Sequence, residues 1–139
     1  FIVRLGNGIQ RGDCQQYLPL LKHRHPVVRE FAARSLGGCL TSSDEALILE
    51  LLGHDEPDVR WEALDALDNK AWSPKHIPLL ARLLADDPNP RIAALAAQIL
   101  GTRGAIEAIP DLRRGVGSYM QKVSDACRNA LKKLGVNPH

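Results

Sequence analysis

The sequence predicts an all-α fold, a right-handed α-solenoid of about four helical hairpins, and three observations carry that reading. Leucines recur at Leu5, Leu36, Leu67, Leu100 and Leu131, with gaps of 31, 31, 33 and 31 residues. No stretch shows the apolar–polar alternation of a strand. Prolines and polar residues fall at matching places between the aliphatic runs. A repeat of roughly 20–50 residues marks stacked units, each too small to bury its own apolar side.

Taken in order, Leu5-Gly6 matches Leu36-Gly37, so residues 1–8 are expected to be the end of an incomplete unit. Full hairpins are expected at about 14–40, 44–70, 74–103 and 105–135, together one repeat domain over 1–139. The first helices are marked by Tyr17-Leu18-Pro19-Leu20-Leu21, Ala46-Leu47-Ile48-Leu49, His76-Ile77-Pro78-Leu79-Leu80 and Ala108-Ile109-Pro110-Asp111-Leu112. Proline is tolerated in a first helical turn, where its missing N–H has no intrahelical partner. Turns follow at His23-Arg24-His25-Pro26, His54-Asp55-Glu56-Pro57-Asp58, Asp86-Asp87-Pro88-Asn89-Pro90 and, more loosely, Gly115-Val116-Gly117-Ser118. The second helices open on Val28, Val59, Ile92 and Val123, with Ala32, Ala63, Ala96 and Cys127 four residues on and the recurrent leucine four beyond. That i, i+4, i+8 series is one apolar helix side with a small residue at its centre, where a neighbouring helix can approach. Gly37-Gly38, Asp68-Asn69 and Gly101 are the expected helix ends.

These residues resemble HEAT repeats, and more narrowly the short repeats named after phycobilisome lyases. The carriers are Ala108-Ile109-Pro110, the Pro57-Asp58-Val59-Arg60 junction, and the Val28-Arg29 and Val59-Arg60 pairs followed by Ala and Leu. The resemblance implies a ladder arginine at Arg29 and Arg60 pairing with acidic groups near the turn. The third and fourth units depart from it, with Arg91 one place early and Lys122-Val123-Ser124 in the last. One branch of such repeats holds a di-iron centre on His-Glu pairs. Here the equivalent places carry Glu30-Phe31, Trp61-Glu62, Ala94-Leu95 and Asp125-Ala126, which lack the imidazole ligands.

Composition narrows the function. The chain has 139 residues, 45% apolar and 24% charged, with no apolar run near the roughly 18 residues that span a bilayer. No signal-peptide pattern is present, and Phe1 in place of Met suggests a piece of a longer protein. Three cysteines at wide spacing, Cys14, Cys39 and Cys127, argue against a disulfide framework and for a reducing, cytoplasmic setting. His23, His25 and His54 are expected to be surface turn residues and not metal ligands. No nucleophile elbow, phosphate-cradling loop or paired-carboxylate motif occurs, so no catalytic residue, cofactor or metal is expected.

Charge divides along the chain: +4 over residues 1–40, −7 over 41–70, +1 over 71–100 and +4 over 101–139. The second-helix face expected to be presented comprises Glu30, Arg34 and Gly37; Trp61, Asp65 and Asp68; Ala94, Gln98 and Gly101; Asp125, Asn129 and Lys132. Its carboxylates would repel phosphate, which disfavours nucleic acid. Trp61 on that face suits an anchor for a protein partner, whereas Trp72 beside Ser73-Pro74 suits packing. The expectation is therefore a non-enzymatic scaffold or regulatory module that binds another protein or another domain of its parent chain. Trp61, Glu62, Asp65, Asp68, Glu30 and Arg34 form the site, and a basic segment is the fitting ligand. Alternatives are a subunit of a bilin lyase, which the resemblance implies, and a DNA-binding array.

Overall fold

The computed structural model describes residues 11–139, with side chains from Cys14 onward; Leu5 and the expected incomplete unit at 1–8 lie outside the described residues. Every regular element among the described residues is helical. In chain order they include α1 (Pro26–Cys39), α2 (Glu45–Leu51), α3 (Pro57–Lys70), α4 (Ile77–Asp86), α5 (Pro90–Thr102), α6 (Ile109–Val116) and α7 (Gln121–Lys133). The chain divides into two compact units, Phe1–Ala71 and Trp72–His139. In the first, α3 packs on both α1 and α2; in the second, α5 packs on α4 and α7, and α6 on α7.

Local chemistry sets where the helices begin. Pro26, Pro57 and Pro90 open α1, α3 and α5, where no intrahelical N–H is needed. The residue before each, His25, Glu56 and Asn89, is extended, with ψ near 120° (123°, 124° and 119°). The proline ring imposes that conformation on its predecessor. Pro78 and Pro110 lie in the first turns of α4 and α6. The first hairpin departs from expectation. In place of an α-helix at Tyr17–Leu21 it has 3₁₀ turns at Arg11–Tyr17 and Pro19–Lys22, held by bonds such as Leu21 N–H to Leu18 O at 3.2 Å. Pro19 has no N–H to give an i−4 carbonyl, so the ladder cannot run through it.

One bond recurs in all four turns. The side chains of His23, His54, Asp87 and Ser118 accept the backbone N–H two residues ahead, from His25, Glu56, Asn89 and Met120, at 3.1, 3.0, 2.9 and 3.1 Å. Each satisfies an N–H that lies just outside the following helix. Arginine adds the second clamp. Arg29 donates to His23 O at 2.7 Å, and Arg60 donates to His54 O at 2.9 Å and Asp55 O at 3.0 Å. In the fourth repeat Ser124 holds the equivalent place and donates to Val116 O at 2.7 Å.

The repeated apolar positions make the core. Ala32, Ala63, Ala96 and Cys127, and Leu36, Leu67, Leu100 and Leu131, are each no more than 1% exposed. Burying one such leucine stabilises by about 1.5–3 kcal/mol. Val59, Ile92 and Val123 are buried too, whereas Val28 is only half-buried. Two glycines differ from expectation. Gly37 lies within α1 and Gly101 within α5, so neither ends its helix. A Cβ on Gly101 would lie 2.7 Å from Ala130 Cα, so its hydrogen is what lets α5 and α7 close up. The left-handed stop after α5 is instead Gly104, with φ of 69°.

Cys14 and Cys39 form a disulfide, contrary to the expectation from their spacing. The hairpin folds back on itself and brings residues 25 apart in sequence to a Cα separation of 5.8 Å, within bridging range. Cys127 is a buried thiol in the α6–α7 hairpin. No described helix is long and apolar enough to cross a membrane.

Candidate protein-interaction surface

The expected site lies in the first unit, where α1 and α3 run side by side. Their register is fixed at the C-terminal end by Lys70, whose Nζ donates to Gly37 O at 3.1 Å and Leu40 O at 2.6 Å. A cation there answers carbonyls that the helix leaves without partners. The same register sets Glu62 against Gly37, so closely that any β-carbon at 37 would collide with the Glu62 carboxylate. Glu62 is thus half-buried in the seam between the two helices, beside the face that carries Trp61, Asp65 and Asp68.

The other members fall around it. Trp61 and Asp68 are half-buried and Asp65 is exposed, the three sharing one side of α3. Asp65 accepts from Asn69 Nδ2 at 3.1 Å. On α1, Glu30 and Arg34 pair at 2.5 Å with most of both side chains in solvent, a contact of modest worth. Burial raises the Glu62 carboxyl above its ordinary range; the Asp65 charge adds to this, Arg34 partly offsets it, and Asp58 adds a little more. The structure therefore brings Arg34, Glu62, Asp65 and Asp58 into one electrostatic neighbourhood. Glu30 lies at its edge, lining a groove of about 130 Å³ with Arg29, Glu56 and Asp58. Arg29 Nε stands 3.8 Å from Glu56, the acidic contact that the ladder pattern implied.

Asp58 and Glu56 were missed in the sequence because they sit before and at the helix start, where acidic residues usually serve as caps. Their signal was present in the run of nine carboxylates between residues 41 and 70. In the second unit the presented face is narrower than expected. Gln98, Asp125, Asn129 and Lys132 are exposed, Ala94 is half-buried and Gly101 is buried. Trp72 packs edge-on to His76, 6.3 Å between ring centres, with the Arg103 guanidinium 5.5 Å from its ring. Among the described residues no group of three or more His, Cys, Asp or Glu is arranged to hold a metal ion. The Nδ1 atoms of His23 and His54 are committed to their turns.

Comparison with known proteins agrees with this architecture. A family model described as HEAT repeats matches residues 15–101. No curated protein matches the chain.

Proposed function

We propose, from the premise that this chain belongs to the HEAT-repeat family, that it is a non-catalytic recognition module whose α1–α3 face binds a basic segment of a protein partner or of another domain. HEAT repeats commonly serve as protein-interaction scaffolds. The observation that carries the reading is the gathering of Glu62, Asp65 and Asp58 on the α1–α3 face beside Trp61, where burial first and then the neighbouring Asp65 charge raise the proton affinity of Glu62. Carboxylates gathered until they disfavour one another's ionisation raise the electrostatic energy of the unbound surface, and a cationic ligand relieves it. Trp61 offers apolar area beside those charges, the combination found at the centre of binding hot spots. Glu30 and Arg34 form the rim, and Asp68 extends the acidic side along α3.

A labelled peptide alternating lysine and serine tests this, with binding read from the polarisation of the label so that Trp61 itself can be replaced. Saturable binding is expected, weakened about tenfold or more by Trp61→Ala, the loss typical of an anchor residue. Asp65→Asn is expected to weaken it less. Binding that ignores both substitutions places recognition elsewhere. The bilin-lyase and DNA readings have no observation in the structure that favours them. A cytoplasmic setting, expected because three widely spaced cysteines argue against a disulfide framework, loses that support once Cys14 and Cys39 are bonded.

A further inference from the structure

The second unit carries a groove of different chemistry from the α1–α3 face. It is about 330 Å³ in volume and runs between α5 and α7, walled by Gln98 on one helix and Asn129 and Lys133 on the other, with Ala126 and Ala130 as its floor. Its size matches that of small ligand sites, whose lower bound is roughly 300 Å³. Among the described residues neither the Gln98 nor the Asn129 amide has a hydrogen-bond partner. Lys133 reaches only the Thr102 hydroxyl, at 3.4 Å. No carboxylate lines the groove. Asp125, on the same helix, is engaged by Gln121 at 2.7 Å and by Arg128 at 3.6 Å.

We infer that this groove binds an extended, acidic peptide segment, with the two amides hydrogen-bonding its backbone and Lys133 pairing with a carboxylate. A primary amide offers two donors and an acceptor, the complement of a peptide group. Gln98 and Asn129 occupy the same repeat position, six residues past Ile92 and Val123, so they face the groove from neighbouring helices. Packed helix axes lie roughly 8–10 Å apart. An extended chain advances about 3.3 Å per residue, so two such amides meet peptide groups two to three residues apart. The small floor, with Gly101 held against Ala130, leaves room for a backbone to lie low between the helices. Charge selects the acidic class: residues 72–139 carry ten basic and five acidic side chains, against eight and eleven in residues 1–71. The side chains of a basic peptide would gain no partner in this groove and would meet Lys133.

The inference extends the recognition reading to a second surface and is tested apart from it. The full chain, labelled with ¹⁵N, is titrated with an end-blocked decapeptide alternating aspartate and serine. Saturable shifts of the Gln98 and Asn129 side-chain NH₂ signals are expected. Affinity should fall about tenfold or more with Asn129→Ala and with Lys133→Ala, and stay unchanged with Trp61→Ala. Asn129→Asp, close in shape but lacking the donor and adding a charge that repels the ligand, should weaken binding at least as much as Asn129→Ala and guards against a folding defect. The same decapeptide with alternate backbone nitrogens methylated should bind at least tenfold more weakly. Equal binding of the methylated peptide, equal binding of the lysine–serine peptide, or absence of shifts at the two amides overturns the proposal. Loss of the acidic peptide with Trp61→Ala overturns it as well, whereas failure of the lysine peptide alone leaves it standing and removes only the α1–α3 reading.

Discussion

At the scale of single residues, the structure assigns work to side chains that composition alone leaves ambiguous. His23 and His54 lie in turns, where each accepts a backbone N–H, the task that Asp87 and Ser118 perform later in the chain. Any small acceptor should therefore substitute. We expect His54→Asn to fold with near-parental stability, and His54→Ala to lose about 0.5–1.5 kcal/mol, the usual worth of one hydrogen bond. Urea denaturation of both variants decides it, and equal losses would rule out the acceptor role. Glu62 supplies a pH dependence. Folding raises its proton affinity, mainly by burial, so the native chain holds more proton than the unfolded one just above the ordinary carboxylate range. Its contribution to stability is present below its ordinary value of 4.5 and falls as pH rises through the raised value. Glu62→Gln should thus be more stable than the parent at neutral pH, with the gap closing in acid. A gap that is constant with pH would show that ionisation of Glu62 is not what is being relieved.

At the scale of elements, most of the architecture was legible in the sequence because the repeat is written in residue size. Ala32, Ala63, Ala96 and Cys127 occupy one structural place, and all are buried. The glycines were less legible, since a glycine within a helix and a glycine after one look alike in a sequence. Gly37 and Gly101 suggested helix ends, yet both serve helix contact, with Glu62 and Ala130. The α1–α3 site was half legible for a related reason: the 3.6-residue period identifies a helix's side but not which side a partner helix covers. Gly115 gives the sharpest case. It lies inside α6, and a Cβ there would collide with Cys127 Sγ. Cys127 is the one non-alanine in the small-residue series, so the glycine compensates for the larger sulfur. Burial also pushes the Cys127 thiol up to about 11, which makes it a packing group of low reactivity. We expect Gly115→Ala to cost about 1–3 kcal/mol through overpacking, and Gly115→Ala with Cys127→Ala to recover a large part of that. A double-mutant cycle by thermal denaturation measures the coupling, and simple additivity would mean that the two residues do not share the space.

At the scale of the whole molecule, the two units are stabilised by different means. In the second unit both hairpins pair α-helices, and the contact between α5 and α7 is extensive. The first described elements of the first unit are 3₁₀ turns, which pack against α1 through the buried Cys14 and Leu21, and there the Cys14–Cys39 bond ties the Arg11–Tyr17 turn to the end of α1. A cross-link closing 25 residues restricts the unfolded chain, which the loop-entropy relation values at about 3.5 kcal/mol. Spacing could not reveal this, because pairing depends on where the hairpin returns and not on how far apart the cysteines lie in the chain. The two tryptophans make the consequence measurable, since Trp61 belongs to the first unit and Trp72 to the second. In a Trp72→Phe variant, adding a phosphine reductant should lower the free energy of the Trp61-reported urea transition by an amount of that order. The same shift should appear with Cys14→Ser and Cys39→Ser under oxidising conditions, and reductant should do nothing further to either variant. A Trp61 transition indifferent to reductant would mean that the bond does not hold the first hairpin. If α1 loosens on reduction, Gly37 leaves its contact with Glu62 and the acidic face loses its register, so binding of the lysine–serine peptide should weaken in parallel with the lost stability.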